Sequence, residues 1–367
     1  MKILVTGGAG FIGSHIVDAL VEKHEVTIYD NLEPQVHEKV PGYLNKKAKF
    51  IRGDVTDANR LKKVVCDMDV IFHQAAAVGV GQSMYQVERY VNINSNGTAK
   101  LLDILANEEH SVKKLIVASS MSIYGEGEYE CPDCGVVYPK MRPEKQLKKK
   151  EWEIRCPECG KVAKPVPTDE DKPLHPTSVY AVTKRDQEEM CLAVGHAYGI
   201  PTVALRYFNV YGVRQSLSNP YTGVCAIFSS RIKNNNPPII YEDGLQARDF
   251  VSVSDIVQAN LLVLNKRSAD YEAFNVGVGK PIAILDIADI LIGLYKKKIK
   301  PRIAGKYRPG DIRYCYSDIS KIKKLGYKPR TKFEDGIKDL ARWGETQKAK
   351  DRFEEARKEM ESKGLMG

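Results

Sequence analysis

Residues 3–13 read Ile-Leu-Val-Thr-Gly-Gly-Ala-Gly-Phe-Ile-Gly, and no other stretch limits the fold so tightly. An apolar run (Ile3, Leu4, Val5) stops at Thr6, glycines follow at Gly7, Gly10 and Gly13, and an apolar-periodic stretch continues through Ile16, Val17 and Leu20. The pattern predicts a buried strand, a tight turn and a helix. Gly7 lets the turn close, Gly10 removes a side chain so that backbone N–H groups can approach a pyrophosphate, and Gly13 lets the helix lie close to the strand. The helix N-terminus then faces the anion with unpaired donors and a favourable dipole. A glycine-rich turn alone is often only a turn. Here a second strand, 26–29, ends in Asp30, where a carboxylate suits the ribose hydroxyls of NAD and repels the extra phosphate of NADP.

Strand-like runs recur at 3–5, 26–29, 49–52, 70–73, 115–119 and 202–205, with helical patterns at 13–22, 59–65 and 96–107 between them. Such alternation predicts an α/β doubly wound parallel sheet of Rossmann type. Ligands of such sheets sit beyond the carboxyl ends of the strands, where Thr6, Asp30, Asp54, Gln74 and Ser120 fall. After residue 207 the pattern loosens into short segments and Asn/Pro/Gly loops. The expected organisation is a dinucleotide-binding domain at 1–125 and 167–206, an insertion at 126–166, a smaller substrate domain mainly at 207–345, and a charged helical tail at 346–367 that stays in solvent.

The 367 residues are 43% hydrophobic and 28% charged, ordinary for a globular enzyme. No apolar run is long enough to span a bilayer, and the first strand starts at residue 3 with no signal peptide ahead of it, so a cytoplasmic location is expected. The formal charge of +9 is concentrated in residues 296–367, with 22 Lys and Arg against 11 Asp and Glu. A solvated lysine-rich surface accounts for most of it.

Tyr180 and Lys184 stand in Ser178-Val-Tyr-Ala-Val-Thr-Lys184, a helical pattern that puts both on one face. To act as a base near neutrality, a tyrosine must drop roughly three pKa units, about 4 kcal/mol. A cation about 5 Å away at an effective dielectric of 20 supplies roughly 3 kcal/mol, so Lys184 and a positive nicotinamide ring together suffice. A Tyr-x-x-x-Lys spacing by itself is commonplace and gains weight from the glycine loop in the same chain. Ser120, at the end of the run 115–119, is placed to bond a reacting sugar oxygen and relay its proton. The plainer reading is a serine that satisfies a strand end.

Taken together, Thr-Gly-Gly-Ala-Gly-Phe-Ile-Gly (6–13), His73-Gln-Ala-Ala-Ala77, Asn94-Ser-Asn-Gly-Thr98, 119–125, 180–184, Arg206-Tyr-Phe-Asn-Val-Tyr-Gly212, 244–255 with Arg248-Asp-Phe-Val, and Arg308-Pro-Gly-Asp311 resemble the extended short-chain dehydrogenase/reductases of the NAD-dependent epimerase/dehydratase family. The likeness covers 1–345 apart from one insertion. It implies a catalytic set of Ser120, Tyr180 and Lys184. It implies a cofactor surface of Gly7, Gly10, Phe11, Ile12, Gly13, Asp30 and Asn31, with Asp54 and Val55 flanking adenine, Ala75, Ala76 and Ala77 lining the cofactor, and Asn94 and Tyr207 completing it. Asn209, Arg248 and Arg308 resemble the family's nucleotide-diphosphate clamp, with Val80 and Ser122 near the sugar. A homodimer through 96–107 and 180–196 is implied by resemblance only.

Relatives that eliminate water carry an acidic pair just after the Ser/Thr, where this chain has Met121 and Ser122. Neither can serve as an acid or base. Decarboxylating relatives place a carboxylate where Ser122 stands. C4 epimerisation of a nucleotide-diphosphate sugar remains, with C4 oxidised by bound NAD, the 4-keto sugar rotated, and hydride returned to its other face. The stretch 75–84, the Ser-Met-Ser after the strand and the cysteine insertion resemble the dTDP-L-rhamnose 4-epimerase group. Val78 and Val80 either face an apolar 6-deoxy carbon or simply pack. UDP-hexose and UDP-uronate 4-epimerases are the closest rivals, followed by a net nucleotide-sugar oxidoreductase and a NAD-sensing regulator.

Cys131-Pro-Asp-Cys-Gly135 and Cys156-Pro-Glu-Cys-Gly160 are paired Cys-x-x-Cys knuckles with zinc-ribbon spacing. Four thiolates at Cys131, Cys134, Cys156 and Cys159 would close the sphere of a structural Zn2+, and two disulfides are the alternative, disfavoured in the cytosol. Residues 126–166 hold 9 basic and 8 acidic side chains, too balanced for a nucleic-acid partner. A lid over the cleft or a dimer contact is the expected role of the insertion.

Overall fold

The computed structural model describes residues 1–308 and 310–366. Seven parallel strands form the central sheet in the order Glu272–Val276, Thr202–Tyr207, Lys114–Ser120, Val70–His73, Lys2–Thr6, Glu25–Asp30, Lys49–Arg52. The first strand shows why the sheet is buried on both faces. Ile3 and Val5 pack on one side with helices Phe11–Leu20 and Val253–Leu264, while Leu4 joins Leu61, Leu101, Leu105 and Cys191 on the other. Runs of β-branched and aliphatic residues are what a strand covered on both faces requires. The expected strands and helices form within two residues of their predicted bounds, and the first helix begins at Phe11 rather than Gly13.

The seventh strand was not expected. Glu272–Val276 comes from within the stretch assigned mainly to the substrate half, and the helix before it packs against the first helix. A five-residue strand after a long excursion leaves no local alternation to detect. A second core gathers Phe228, Ile232, Phe250, Ile287, Leu291, Ile337 and Leu340 around strand Ala247–Ser252, which pairs with Asn209–Tyr211, Pro281–Ala283 and Tyr314–Cys315. The insertion forms a small antiparallel sheet of Gly135–Val137, Glu128–Cys131 and Lys164–Val166. Among the described residues no helix is long and apolar enough to cross a membrane.

The turn after the first strand leaves no room for side chains at its glycines. Gly7 has φ +67°, a backbone conformation that side chains with a Cβ resist. A Cβ on Gly13 would lie 2.2 Å from the Gly7 carbonyl oxygen, so the helix cannot sit at this distance with any other residue there. Gly13→Ala is expected to destabilise the protein by roughly 1–3 kcal/mol through overpacking and to strip the dinucleotide, read as a lower Tm and a loss of co-purifying NAD.

Candidate active site

A cleft of about 640 Å³ runs along the carboxyl edge of the central sheet and continues into the second core. Its volume is that of a pocket for a cofactor-sized molecule. Helix Phe11–Leu20 starts at Gly10 with no side-chain cap. Ser14 N–H is the first to bond back, to the Gly10 carbonyl at 3.0 Å, so the N–H groups of Phe11, Ile12 and Gly13 have no backbone partner among the described residues. These free donors and the bare glycine surface suit a pyrophosphate. Asp30 is buried, its carboxylate accepting the N–H of Ala9 at 3.0 Å and of Leu32 at 2.8 Å, which fixes its orientation on the cleft wall. Asn31 donates to Asp54 at 2.8 Å. Burial pushes the Asp54 carboxyl up, but hydrogen bonds from Thr56 and Asn31 outweigh it and hold the group below its ordinary value.

Every predicted cofactor residue lines this cleft except Asn94. Asn94 is fully buried behind it, bonding both the N–H (2.7 Å) and the carbonyl (3.1 Å) of Ala77 and the Thr183 hydroxyl (3.0 Å). It clamps the 75–77 loop to the Tyr180 helix, where the sequence reading had it touching the dinucleotide. Five further side chains on the wall, Gln74, Ser119, Asn209, Gln215 and Gln246, each carry a buried polar atom with no partner among the described residues. Buried polar atoms without partners are costly, and a polar ligand in the cleft is what would satisfy them. The residues therefore fit a dinucleotide.

Ser120, Tyr180 and Lys184 come together on the wall. Ser120 ends the fifth strand and accepts bonds from the Ser122 N–H (3.2 Å) and hydroxyl (2.9 Å). Ser178 caps helix Val179–Tyr198 by accepting the Ala181 N–H at 3.1 Å, which sets Tyr180 and Lys184 one turn apart at its start. The geometry corrects one part of the sequence argument. The Lys184 ammonium is turned to the Ala118 carbonyl and to Gln187 Oε1 at 2.7 Å, and burial lowers it to about 8. Burial also holds the Tyr180 phenol above its ordinary value, opposed only by the Ser120 hydroxyl. In the chain alone the Lys184 ammonium is not among the groups that lower Tyr180. Behind the pair, His73 lies between Thr6 (2.8 Å) and Thr98 (3.0 Å), and burial drives its pKa down to about 3, so the ring stays neutral.

At the far end Arg248 and Arg308 reach the wall together with Val80, Ser122 and Asn209. Arg248 donates to three backbone carbonyls, of Ala247, Ile312 and Arg313, and among the described residues to no carboxylate, so none of these residues compensates its charge directly. Arg308 bonds Asp311 at 2.8 Å and stacks on the Tyr241 ring at 4.9 Å.

The tail is where the sequence reading fails most clearly. Helix Phe353–Ser362 does not stand in solvent; Ala356 and Met360 are buried, and Phe353 and Met360 line the cleft. Buried Arg231 is within ion-pair reach of Asp351 (3.4 Å) and Glu354 (3.2 Å), and Tyr221 donates to Glu359 at 3.1 Å. The signal was present, since 353, 356 and 360 share a helical face, but so short an apolar stripe is outweighed by the charges around it. Glu242, Gln246 and Tyr221 also line the cleft without any local motif to mark them.

The four insertion cysteines place their sulfurs within 4.8 Å of one another, with Cys131 and Cys159 at 3.5 Å. A tetrahedral zinc with Zn–S near 2.3 Å needs sulfurs roughly 3.8 Å apart. Gly135 (φ +72°) and Gly160 (φ +76°) turn the knuckles. N–H groups of Asp133 and Cys134 pull the Cys131 thiol down to about 7, while the crowding sulfurs, led by Cys159, push Cys134 up to about 12. A set of sulfurs that cannot all ionise without a cation fits a metal.

A sequence model described as the NAD dependent epimerase/dehydratase family matches residues 3–143 and 156–277, the gap falling inside the insertion. A dTDP-L-rhamnose 4-epimerase of Burkholderia thailandensis is 37% identical over 93% of this chain and 94% of its own length. A putative UDP-glucose 4-epimerase of Methanocaldococcus jannaschii is 35% identical over 93% and 97%. Among solved structures, a UDP-N-acetylglucosamine 4-epimerase from Methanobrevibacter ruminantium, in complex with UDP-N-acetylmuramic acid, superposes with a TM-score of 0.77 at 33% identity, covering 95% of this chain and 99% of its own. A UDP-glucuronic acid 4-epimerase from Bacillus cereus, complexed with UDP-glucuronic acid and NAD, gives 0.75 at 28% identity over 94% and 99%. The chain belongs to the NAD dependent epimerase/dehydratase family.

Deleting residues 351–367 removes Phe353 and Met360 from the cleft wall. Losing the burial of about one apolar side chain, roughly 1.5–3 kcal/mol, is expected to raise the KM for the cleft's substrate at least about tenfold while co-purifying NAD stays the same; steady-state kinetics and cofactor content check it.

Proposed function

We propose that the protein inverts C4 of a nucleotide-diphosphate sugar, with Tyr180 as the acid/base. It is a NAD-dependent nucleotide-sugar 4-epimerase. The observation that carries the reading is the convergence of Ser120, Tyr180 and Lys184 on one cleft wall between a free helix N-terminus and a guanidinium without a carboxylate partner. Bound NAD supplies reversible hydride transfer. Tyr180 takes the O4 proton and later returns it, and Ser120, already hydrogen-bonded to Ser122, holds O4. Lys184, placed by Gln187, stands one helical turn from Tyr180 on the same wall. Arg248 and Arg308 bind the diphosphate, whose planar contacts suit a guanidinium fork.

The sugar is best read as a neutral 6-deoxyhexose of the dTDP-L-rhamnose kind. Val78 and Val80 line the cleft, and Met360 closes over Gly81 beside them. Arg89, the other guanidinium on the wall, is spent on Glu33, Gln35 and Gln86, which leaves none for a uronate carboxylate. Cys131, Cys134, Cys156 and Cys159 hold a structural zinc. A homodimer is supported by exposed Met84, Val87 and Val91 at helical spacing, with exposed Val182 on the Tyr180 helix. This apolar face lies on 84–91, ahead of the stretch 96–107 expected to form the contact. The free state of all eight cysteines suits the reducing cytoplasm.

Incubating the protein with dTDP- and UDP-sugars and reading C4 configuration by NMR tests the reaction and its substrate together; stoichiometric release of NADH with a keto sugar would replace epimerisation by net oxidation. Tyr180→Phe is expected to lower kcat on the order of a thousandfold with NAD still bound. The pH dependence follows from the phenol being a neutral acid raised by burial. Without cofactor it titrates above its ordinary value of about 10. The positive ring favours the phenolate, so in the holoenzyme kcat rises with pH through a lower pKa. Difference absorbance of wild type minus Tyr180→Phe, with and without NAD, measures both values, and an unchanged phenol on NAD binding would refute the assignment.

A further inference from the structure

The insertion contributes no side chain to the wall of the cleft, which argues against a lid. Its buried charges instead reach the segments that carry the cleft's arginines. Glu126 accepts the backbone N–H of Arg313 at 2.6 Å and of Tyr314 at 3.3 Å, and the Tyr129 hydroxyl at 3.0 Å. Arg142 forks onto Glu242 at 2.7 and 3.0 Å and donates a further bond to the Asp311 carbonyl at 3.0 Å. Arg313, with no exposed surface, bonds Glu153 of the insertion at 2.7 Å, Glu242 at 3.1 Å and Asp243 at 2.6 Å. Three charged groups from the insertion and three from the substrate half thus close one network, with Glu126, Arg142, Glu242 and Arg313 all buried.

The same segments face the cleft on their other side. The Arg248 guanidinium is oriented by the carbonyls of Ile312 and Arg313, and Arg308 by Asp311. Glu126 and Arg142 grip the backbone of residues 311–314 from behind, and from the front its carbonyls aim Arg248 while the Asp311 carboxylate aims Arg308.

We propose that the cysteine-bound insertion is the positioning element of the diphosphate site, with Glu126 and Arg142 as positioning residues for Arg248 and Arg308. The inference rests on reading those two arginines as diphosphate ligands. The six buried residues of the insertion's core include two of the cysteines themselves, with Tyr129, Val137, Ile154 and Ala163. So small a cluster cannot hold two buried charges in register alone. The four-sulfur site fastens the module, and losing its metal loosens the grip on 311–314. The dinucleotide end, built on the first strand and helix, is untouched.

The test is calorimetric titration of the NAD-loaded full chain with UDP and with dTDP, beside measurement of zinc and NAD per chain. Arg142→Met, and the Cys134→Ser/Cys159→Ser double variant made at the two exposed sulfurs, should each bind the better nucleotide at least tenfold more weakly while keeping a full complement of NAD; the double variant should also lose zinc. Unchanged nucleotide affinity in both would overturn the proposal. So would parallel loss of NAD, which would make the insertion a support of the whole fold. Arg248→Met serves as the internal control. If it binds nucleotide as the wild type does, the diphosphate reading is at fault. If it weakens binding while Arg142→Met does not, only the role given to the insertion falls.

Discussion

The approach of the first helix to the first strand governs how this molecule is arranged. A Cβ at residue 13 would collide with the Gly7 carbonyl, and the gap that glycine leaves brings three unpaired N–H groups to the carboxyl edge of the sheet. Parallel strands deliver their loops to that same edge. Asp30, Gln74, Ser120 and Tyr207 arrive there because their strands are parallel and end at the same edge.

Polar groups buried under that edge are arranged so that nearly all have partners. Thr6, His73, Thr98 and Gln187 form a continuous chain from the first strand to Lys184. A buried imidazole with a pKa near 3 is a fixed neutral hydrogen-bonding group, and through Thr98 and Gln187 it holds Lys184 in place. Arg206, between the sheet and the Tyr180 helix, bonds Glu188 at 2.6 Å. Gln74, Ser119, Asn209, Gln215 and Gln246, each with an unpartnered buried atom, sit on the cleft wall. Burial of an unpaired polar atom is tolerated where a ligand completes it, and the polar atoms left open on this wall mark where a ligand would lie.

The dinucleotide half and the catalytic helix were legible because their determinants are local. A glycine spacing, an acid at a strand end and a Tyr-x-x-x-Lys spacing each occupy fewer than a dozen residues. Asn94 was assigned to the cofactor by pattern, yet its partners lie at Ala77 and Thr183, which no spacing reveals. The cation-assisted phenol was half right. The helix puts Lys184 one turn from Tyr180, but the direction of its ammonium depends on a carbonyl at Ala118 in another strand. The tail was misjudged because its partners, Arg231 and Tyr221, are more than a hundred residues away.

What the linear chain determined by itself was the parallel α/β architecture, the glycine turn, the placing of Tyr180 and Lys184 on one helix and the pairing of cysteines into two knuckles. Each follows from periodicity or from residues close enough in sequence to meet through one turn of backbone. Only the tertiary structure decided that the insertion braces the arginine segment from behind, that the last helix forms a wall of the cleft, and which way Lys184 points. Those outcomes depend on pairing buried charges across long sequence separations, where the cost of leaving a charge unpaired selects the contact and no local pattern encodes it.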